Sequence, residues 1–180
     1  MKVVLDACVL YPSVLREILQ AAGEAGLYQP LYSERILEEW TRATLKLGPQ
    51  VHAQATGEAA LFAAAFPRGR IAPQPAIESR LVLPDPADLH VLAVAIASGA
   101  DAIVTYNASD FPGHALAAEG IKRRDPDGFL WELHSAAPEK MAAIVERVRA
   151  KAEAVSGRAV DLKWLLKRVR LYRLAKALLA

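Results

Sequence analysis

Acidic and amide side chains directly follow segments that the sequence predicts to be buried strands. Asp6 comes after the apolar run 3–5, and Asn107 and Asp110 come after the apolar run 102–105. In an α/β sheet the functional crevice lies beyond the carboxyl ends of the strands. We therefore expect these three side chains to meet at one edge of the sheet, where clustered carboxylates could hold a cation.

A predicted helix brings a further carboxylate to the same edge. The run D-P-A-D at 85–88 combines an N-cap, a proline at the first helical position and an acid in the first turn. Asp88 lies three and four residues before Val91 and Leu92, so its side chain shares their inward face. We interpret Asp85 as the cap and Asp88 as the site residue.

The helix predicted at 33–47 offers two acids, Glu38 and Glu39. Glu39 falls at the border of the apolar stripe of that helix, whereas Glu38 falls nearly opposite it. Glu39 could therefore reach a cleft while core packing anchors it, and Glu38 stays as an alternative. The stripe comprises Ile36, Leu37, Trp40, Thr44 and Leu47.

The candidate site residues offer hard oxygen ligands, which suit Mg²⁺ or Mn²⁺. Converging carboxylates repel each other and raise their pKa values unless a cation intervenes. Zinc is not expected, since there is no Cys/His cluster and the four histidines show no ligand-like spacing. Cys8 has no evident histidine partner, so a cysteine nucleophile is not expected either. Neither a glycine-rich phosphate loop nor a G-x-S-x-G motif occurs. The chemistry that remains is metal-assisted reaction of a phosphodiester.

The length of 180 residues suits a single domain that buries its own core. The lone cysteine, Cys8, cannot form an internal disulfide, so we expect a reducing cytoplasm. No apolar run approaches the roughly 20 residues that a membrane-spanning helix needs. The net charge of +2 is unevenly distributed, because residues 1–138 carry −5 and residues 139–180 carry +7.

Strands and helices are predicted to alternate along the chain, which indicates an α/β fold with a mostly parallel sheet. Trp40 and Trp131 are expected in the core, and Trp164 in the core or an interface. Asp127 is expected to cap a helix that begins at Phe129. The predicted strands are 3–5, 27–32, 102–105 and 121–124, with a short extended piece at 81–83. The other predicted helices are 13–22, 33–47, 51–66, 85–98, 138–155 and 161–179.

Three segments together resemble the PIN-domain family of metal-dependent ribonucleases, which includes the VapC-type toxins. They are V-V-L-D-A-C-V-L at 3–10, I-L-E-E-W at 36–40, and D-P-A-D-L-H-V-L at 85–92 with V-T-Y-N-A-S-D-F-P at 104–112. The resemblance implies a three-layer α/β/α fold with a parallel sheet of about five strands over residues 1–135. Residues 136–180 would then form a basic helical extension, which either guides RNA or packs on the domain or on a partner.

The resemblance also implies roles for the acids. Asp6 would be the central metal ligand, with Glu39 and Asp88 as the next two acids. Many members carry a fourth acid where this chain has Asn107. Asp110 would replace it, so that Asp6, Asp88 and Asp110 bind the metal ion, while Asn107 orients the site or binds water. Cys8, another departure from the family pattern, is interpreted as a small buried residue.

The expected function is a Mg²⁺- or Mn²⁺-dependent endoribonuclease, with a role as the toxin of a type II toxin–antitoxin pair as the finer hypothesis. RNA, an antitoxin protein and a second copy of the chain are the expected partners. One alternative is a catalytically weak PIN fold that binds RNA or protein, because Asn107 replaces an acid. Another is an aspartate-based phosphotransferase, which would need a second acid where Cys8 stands.

Overall fold

A parallel sheet of four strands forms the centre of the computed structural model, which describes residues 1–179. The strands lie in the order β2-β1-β3-β4, and Val4 of β1 pairs with Leu31 on one side and Ile103 on the other. β1 and β3 are almost continuously apolar because helices cover both faces of the sheet. The strands are β1 (Lys2–Leu5), β2 (Gln29–Leu31), β3 (Ala102–Val104) and β4 (Lys122–Arg124).

Eleven α-helices within residues 1–179 surround this sheet. They are α1 (Ala7–Leu10), α2 (Ser13–Glu24), α3 (Glu34–Ala43), α4 (Pro49–Ala65), α5 (Pro75–Glu78), α6 (Leu89–Ser98), α7 (Gly113–Ala118), α8 (Pro126–Ala136), α9 (Pro138–Ser156), α10 (Leu162–Arg168) and α11 (Tyr172–Leu178). Short 3₁₀ turns occur at Leu45–Leu47, Pro67–Gly69 and Pro86–Asp88. None of the helices in the described range is long and apolar enough to cross a membrane.

Local signals place the helices that carry the site. Ser33 caps α3, since its hydroxyl accepts a hydrogen bond from Ile36 N at 3.3 Å. Gly99 ends α6 in the left-handed conformation, with a φ of 60° that glycine adopts without a steric penalty. The α/β layers expected from the sequence are thus confirmed.

The sheet has four strands, not about five. Residues 81–83 are not a strand: Val82 is 87% exposed, and Pro84 has no N–H to donate to a ladder. The only isolated bridge in residues 1–179 joins Tyr32 to Arg70 beside β2. The outer edge of β2 is therefore covered by a single pairing rather than a full strand.

Two expectations about α8 are wrong. Trp131 is 42% exposed, because Phe129, Leu130 and Leu133 form the buried face of α8. The residue that caps α8 is Asp125 rather than Asp127, and its side chain accepts a hydrogen bond from Gly128 N at 2.8 Å. The helix predicted at 161–179 is also interrupted: the backbone turns at residues 169–171, between α10 and α11.

The basic C-terminal helices pack on the body of the protein. α9 contacts α2 and α8, and α11 contacts α8. Asp127, only 9% exposed, accepts hydrogen bonds from Arg173 N at 2.8 Å and Leu174 N at 3.0 Å. This buried carboxylate satisfies free N–H groups at the start of α11 and joins that helix to α8.

Replacing Asp127 with alanine should lower the free energy of unfolding by about 1–3 kcal/mol, because charge-assisted hydrogen bonds to buried N–H groups are lost. Asp161→Ala is the matched control, since Asp161 caps α10 through Trp164 N at 2.7 Å in an exposed position. It should cost only about 0.5–1 kcal/mol. Urea denaturation measures both, and equal losses would contradict the role given to Asp127.

Candidate active site

Asp6 lies at the carboxyl end of β1 and is 4% exposed. Its Oδ2 accepts a hydrogen bond from Thr105 Oγ1 at 2.6 Å and another from Cys8 Sγ at 3.1 Å. Its backbone N–H donates to Val104 O at 3.2 Å. The carboxylate is therefore fixed where the ends of β1 and β3 meet.

Cys8 is a hydrogen-bonding group rather than a nucleophile. Burial, followed by the negative charge of Asp6, raises the pKa of the thiol to about 12. The neutral sulfur donates to Asp6 and accepts from Tyr106 N at 3.3 Å. Because metal ions bind the thiolate, this thiol does not add a soft ligand to the site.

Glu39 of α3 lies between the guanidinium of Arg35 and the buried ring of His90. Its Oε1 lies 3.0 Å from Nε2 of buried His90 and accepts from Arg35 Nε at 3.2 Å. Burial favours the neutral carboxyl, but His90 and Arg35 together outweigh it and lower the pKa of Glu39. Glu39 is therefore ionised at neutral pH, whereas Glu38 is exposed on another face of α3.

Arg35 also joins α3 to the turn before α6. Its Nη2 donates to Ala87 O at 3.2 Å, in the 3₁₀ turn that ends at Asp88. Asp85 begins this turn and accepts from Ala87 N at 2.8 Å, which confirms the expected cap. One guanidinium thus positions Glu39 and the backbone that carries Asp88.

Asp88 is a half-buried carboxyl among other negative charges. Burial raises its pKa to about 6, and the charges of Asp6, Asp110, Asp85 and Glu39 contribute in that order. A like-charge effect of this kind requires that the side chains lie near one another. The fold therefore brings together acids that are far apart in sequence.

The loop after β3 carries Asn107 and Asp110. Asn107 N donates to Thr105 Oγ1 at 2.9 Å, which places the residue beside Asp6. Arg123 of β4 donates hydrogen bonds to Ala108 O at 2.7 Å and to Phe111 O at 2.9 Å. This clamp from the neighbouring strand holds the loop that contains Asp110.

These residues surround a cavity of about 370 Å³. Asp6, Glu39, Asp88 and Asn107 line it, while Asp110 lies outside the lining and acts on Asp88 only through its charge. The remaining lining residues are Ala7, Cys8, Tyr11, Trp40, Ala43 and Lys46.

No sequence pattern indicates a role at the site for Tyr11, Arg35, Lys46, His90 or Arg123. Each acquires its place only through contacts between distant segments. A periodic pattern within one helix or strand does not contain that information.

The chemistry of the cavity suits a hydrated hard cation. Its carboxylate and amide oxygens are ligands that Mg²⁺ and Mn²⁺ prefer. Within residues 1–179 no three His, Cys, Asp or Glu side chains are gathered as a complete ligand group. Mg²⁺ commonly keeps several waters and binds through one or two carboxylates. Asp6 and Asp88 are the residues that would hold such an ion.

A family model described as PIN domain matches residues 2–109. The match covers β1 to β3 and includes Asp6, Glu39, Asp88 and Asn107, and it ends one residue before Asp110. The chain belongs to the PIN-domain family, which has a nuclease-type fold and whose members are generally metal-dependent nucleases. Searches of curated proteins and of solved structures found no significant match.

Asp88→Asn should stabilise the metal-free protein at about pH 7.5. The pKa of Asp88 is raised from 3.8 to about 6 in the folded protein. The free energy of unfolding therefore falls as the pH rises through that range, because ionising Asp88 costs more in the folded state. The gain should be about 1 kcal/mol once solvent screening is allowed for, and should vanish near pH 4.

Thermal unfolding at both pH values measures this difference. Glu38→Gln is the control, because Glu38 is exposed and should show no comparable gain. Saturating Mn²⁺ should stabilise the wild type more than Asp88→Asn. A variant less stable than the wild type at about pH 7.5 without metal would contradict the repulsion described above.

Proposed function

We propose that this protein is a divalent-metal-dependent endoribonuclease that hydrolyses RNA phosphodiester bonds with Mg²⁺ or Mn²⁺. The observation that carries the proposal is the single cavity that Asp6, Glu39 and Asp88 line together. Acids from three separate segments converge at the carboxyl ends of parallel strands, where α/β proteins place their chemistry. Membership of a family of nuclease-type fold supports the reaction class.

In this proposal Asp6 and Asp88 would bind the cation, and the charge of Asp110 in the adjacent loop adds to the negative potential that attracts it. When bound, the cation would supply activation of water and stabilisation of the negative charge that develops on the phosphodiester. Thr105 and Cys8 keep Asp6 in place.

Glu39 and Asn107 have different tasks. Glu39, whose negative charge Arg35 stabilises, is a carboxylate in the cavity that can accept a hydrogen bond from the attacking water and orient it. Asn107 offers an amide beside Asp6, which orients water or the substrate.

Asp6→Asn should reduce RNA cleavage in the presence of Mn²⁺ by at least about 100-fold, because a central charge for the cation is lost. Cleavage of a labelled single-stranded RNA, resolved by electrophoresis, measures the effect. Glu39→Gln should also be impaired, whereas Glu38→Gln on the same helix should cleave at the wild-type rate. Equal cleavage by the wild type and Asp6→Asn would refute the enzyme proposal.

The second candidate function is a binding module, and Asn107 at the position of a family acid is the observation that favours it. A wild type that binds RNA but does not cleave it with Mg²⁺ or Mn²⁺ would support this function. Asn107→Asp, which adds a carboxylate to the lining, distinguishes the two: new cleavage by this variant would show a nuclease site lacking one acid.

The toxin role, the antitoxin partner, the homodimer and the cytoplasmic location remain hypotheses based on the family resemblance and the composition. Expression in bacteria tests the first of them. Growth arrest by the wild type and normal growth with Asp6→Asn would support a toxin, and normal growth with an active wild-type enzyme would oppose it.

A further inference from the structure

One cation–aromatic pair lines the acidic cavity, and a second involves the residue that precedes Asn107 of the lining. Lys46 Nζ lies 5.5 Å from the ring centroid of Tyr11, and both residues line the cavity. Arg170 Cζ lies 5.7 Å from the ring centroid of Tyr106, the residue immediately before Asn107. A cation next to an aromatic face is the combination with which proteins bind single-stranded nucleic acids.

The second pair joins the C-terminal extension to the site. Tyr106 Oη donates a hydrogen bond to Val169 O at 2.7 Å. Burial raises the pKa of Tyr106 to about 12, so the hydroxyl keeps the proton that it donates. Together with the Asp127 bonds to α11, this contact fixes the turn that carries Arg170 next to the end of β3.

Arg170 adopts a backbone conformation that favours glycine. Its φ is 57°, and it is the only residue other than glycine with a positive φ in the described part of the chain. Strained conformations of this kind cluster at functional sites. The arginine is exposed and forms no salt bridge with any of residues 1–179. Its guanidinium lies over the ring of Tyr106 and keeps no carboxylate partner within residues 1–179.

The surrounding segment is strongly basic. Residues 162–179 contain six lysines and arginines and no acid. None of the six forms a salt bridge with a residue of the described chain. Unpaired cations of this density attract a phosphate backbone, whereas the cavity beside them is acidic and attracts a cation.

We propose that Arg170 and Lys46, each held over a tyrosine ring, bind phosphates of a single-stranded RNA that enters the acidic cavity. The C-terminal extension thus supplies part of the substrate site, from outside the region that the family model matches. This inference rests on the proposed nuclease function and names how that site holds its substrate.

The test measures binding of a fluorescein-labelled single-stranded RNA of about 16 nucleotides to the full chain in EDTA, where cleavage cannot contribute. The variants are Arg170→Gly, Arg170→Lys and Lys46→Ala. Arg147→Ala is the matched control, because Arg147 is exposed, unpaired within residues 1–179 and outside the cavity lining. Glycine is the informative replacement at position 170, because it adopts the positive φ of this residue without a steric penalty. The melting temperature should therefore stay unchanged or rise.

Arg170→Gly and Lys46→Ala should each weaken binding about five- to tenfold at low salt. Each should also reduce the slope of log K against log salt by about 0.7, the value for one lost contact on a single strand. Arg170→Lys should retain part of the affinity, and Arg147→Ala should bind like the wild type. Equal affinities for Arg170→Gly and Arg147→Ala, both folded, would overturn the inference.

Cleavage assays with Mn²⁺ separate this inference from the proposed function. RNA cleavage whose KM is unaffected by Arg170→Gly would leave the nuclease proposal standing and refute the role of Arg170 in binding the substrate. RNA binding that depends on Arg170 without any cleavage would support the phosphate-binding role of Arg170 and refute the nuclease proposal. Tighter Arg170-dependent binding to a DNA strand of the same sequence would refute RNA as the ligand.

Discussion

The hydrogen bond from Thr105 to the buried carboxylate of Asp6 is the contact on which the site depends. It joins the ends of two neighbouring parallel strands at 2.6 Å, and Asn107 N and the Cys8 thiol extend the same network. A carboxylate that is 4% exposed would be costly without such donors. Once Asp6 is fixed, the loop after β3 and the start of α1 have little freedom to move apart.

The other acids of the cavity are held in contrasting ways. Glu39 has Arg35 and His90 beside it and a lowered pKa, whereas burial and, after it, the charges of nearby carboxylates raise the pKa of Asp88. Arg35 therefore neutralises part of one side of the cavity, while the other side holds a carboxyl that is costly to ionise. A divalent cation bound there would favour the ionised form of Asp88 and so offset part of this cost.

Much of this arrangement could be predicted from the sequence, because short apolar runs followed by polar residues mark β1 and β3, and the D-P-A-D run marks the turn at Asp88. The mistakes concern partners distant in sequence. Asp127 has the pattern of a local cap, but its carboxylate binds N–H groups 46 and 47 residues away. The positions of Arg35 against Ala87 and of Arg123 against Phe111 likewise follow only from the packing of separate elements.

The region matched by the family model does not contain every contact that shapes the site. Asp110 lies just beyond it, the loop of Asp110 is held by Arg123 of β4, and Tyr106 is hydrogen-bonded to Val169. Without these later elements the carbonyls of Ala108 and Phe111 would lose their donor, and the loop would lose the restraint that keeps its charge near Asp88. The β1–β3 edge therefore carries the central acid Asp6. The C-terminal third of the chain determines how rigidly the loop after β3 holds Asn107 and Asp110 beside it.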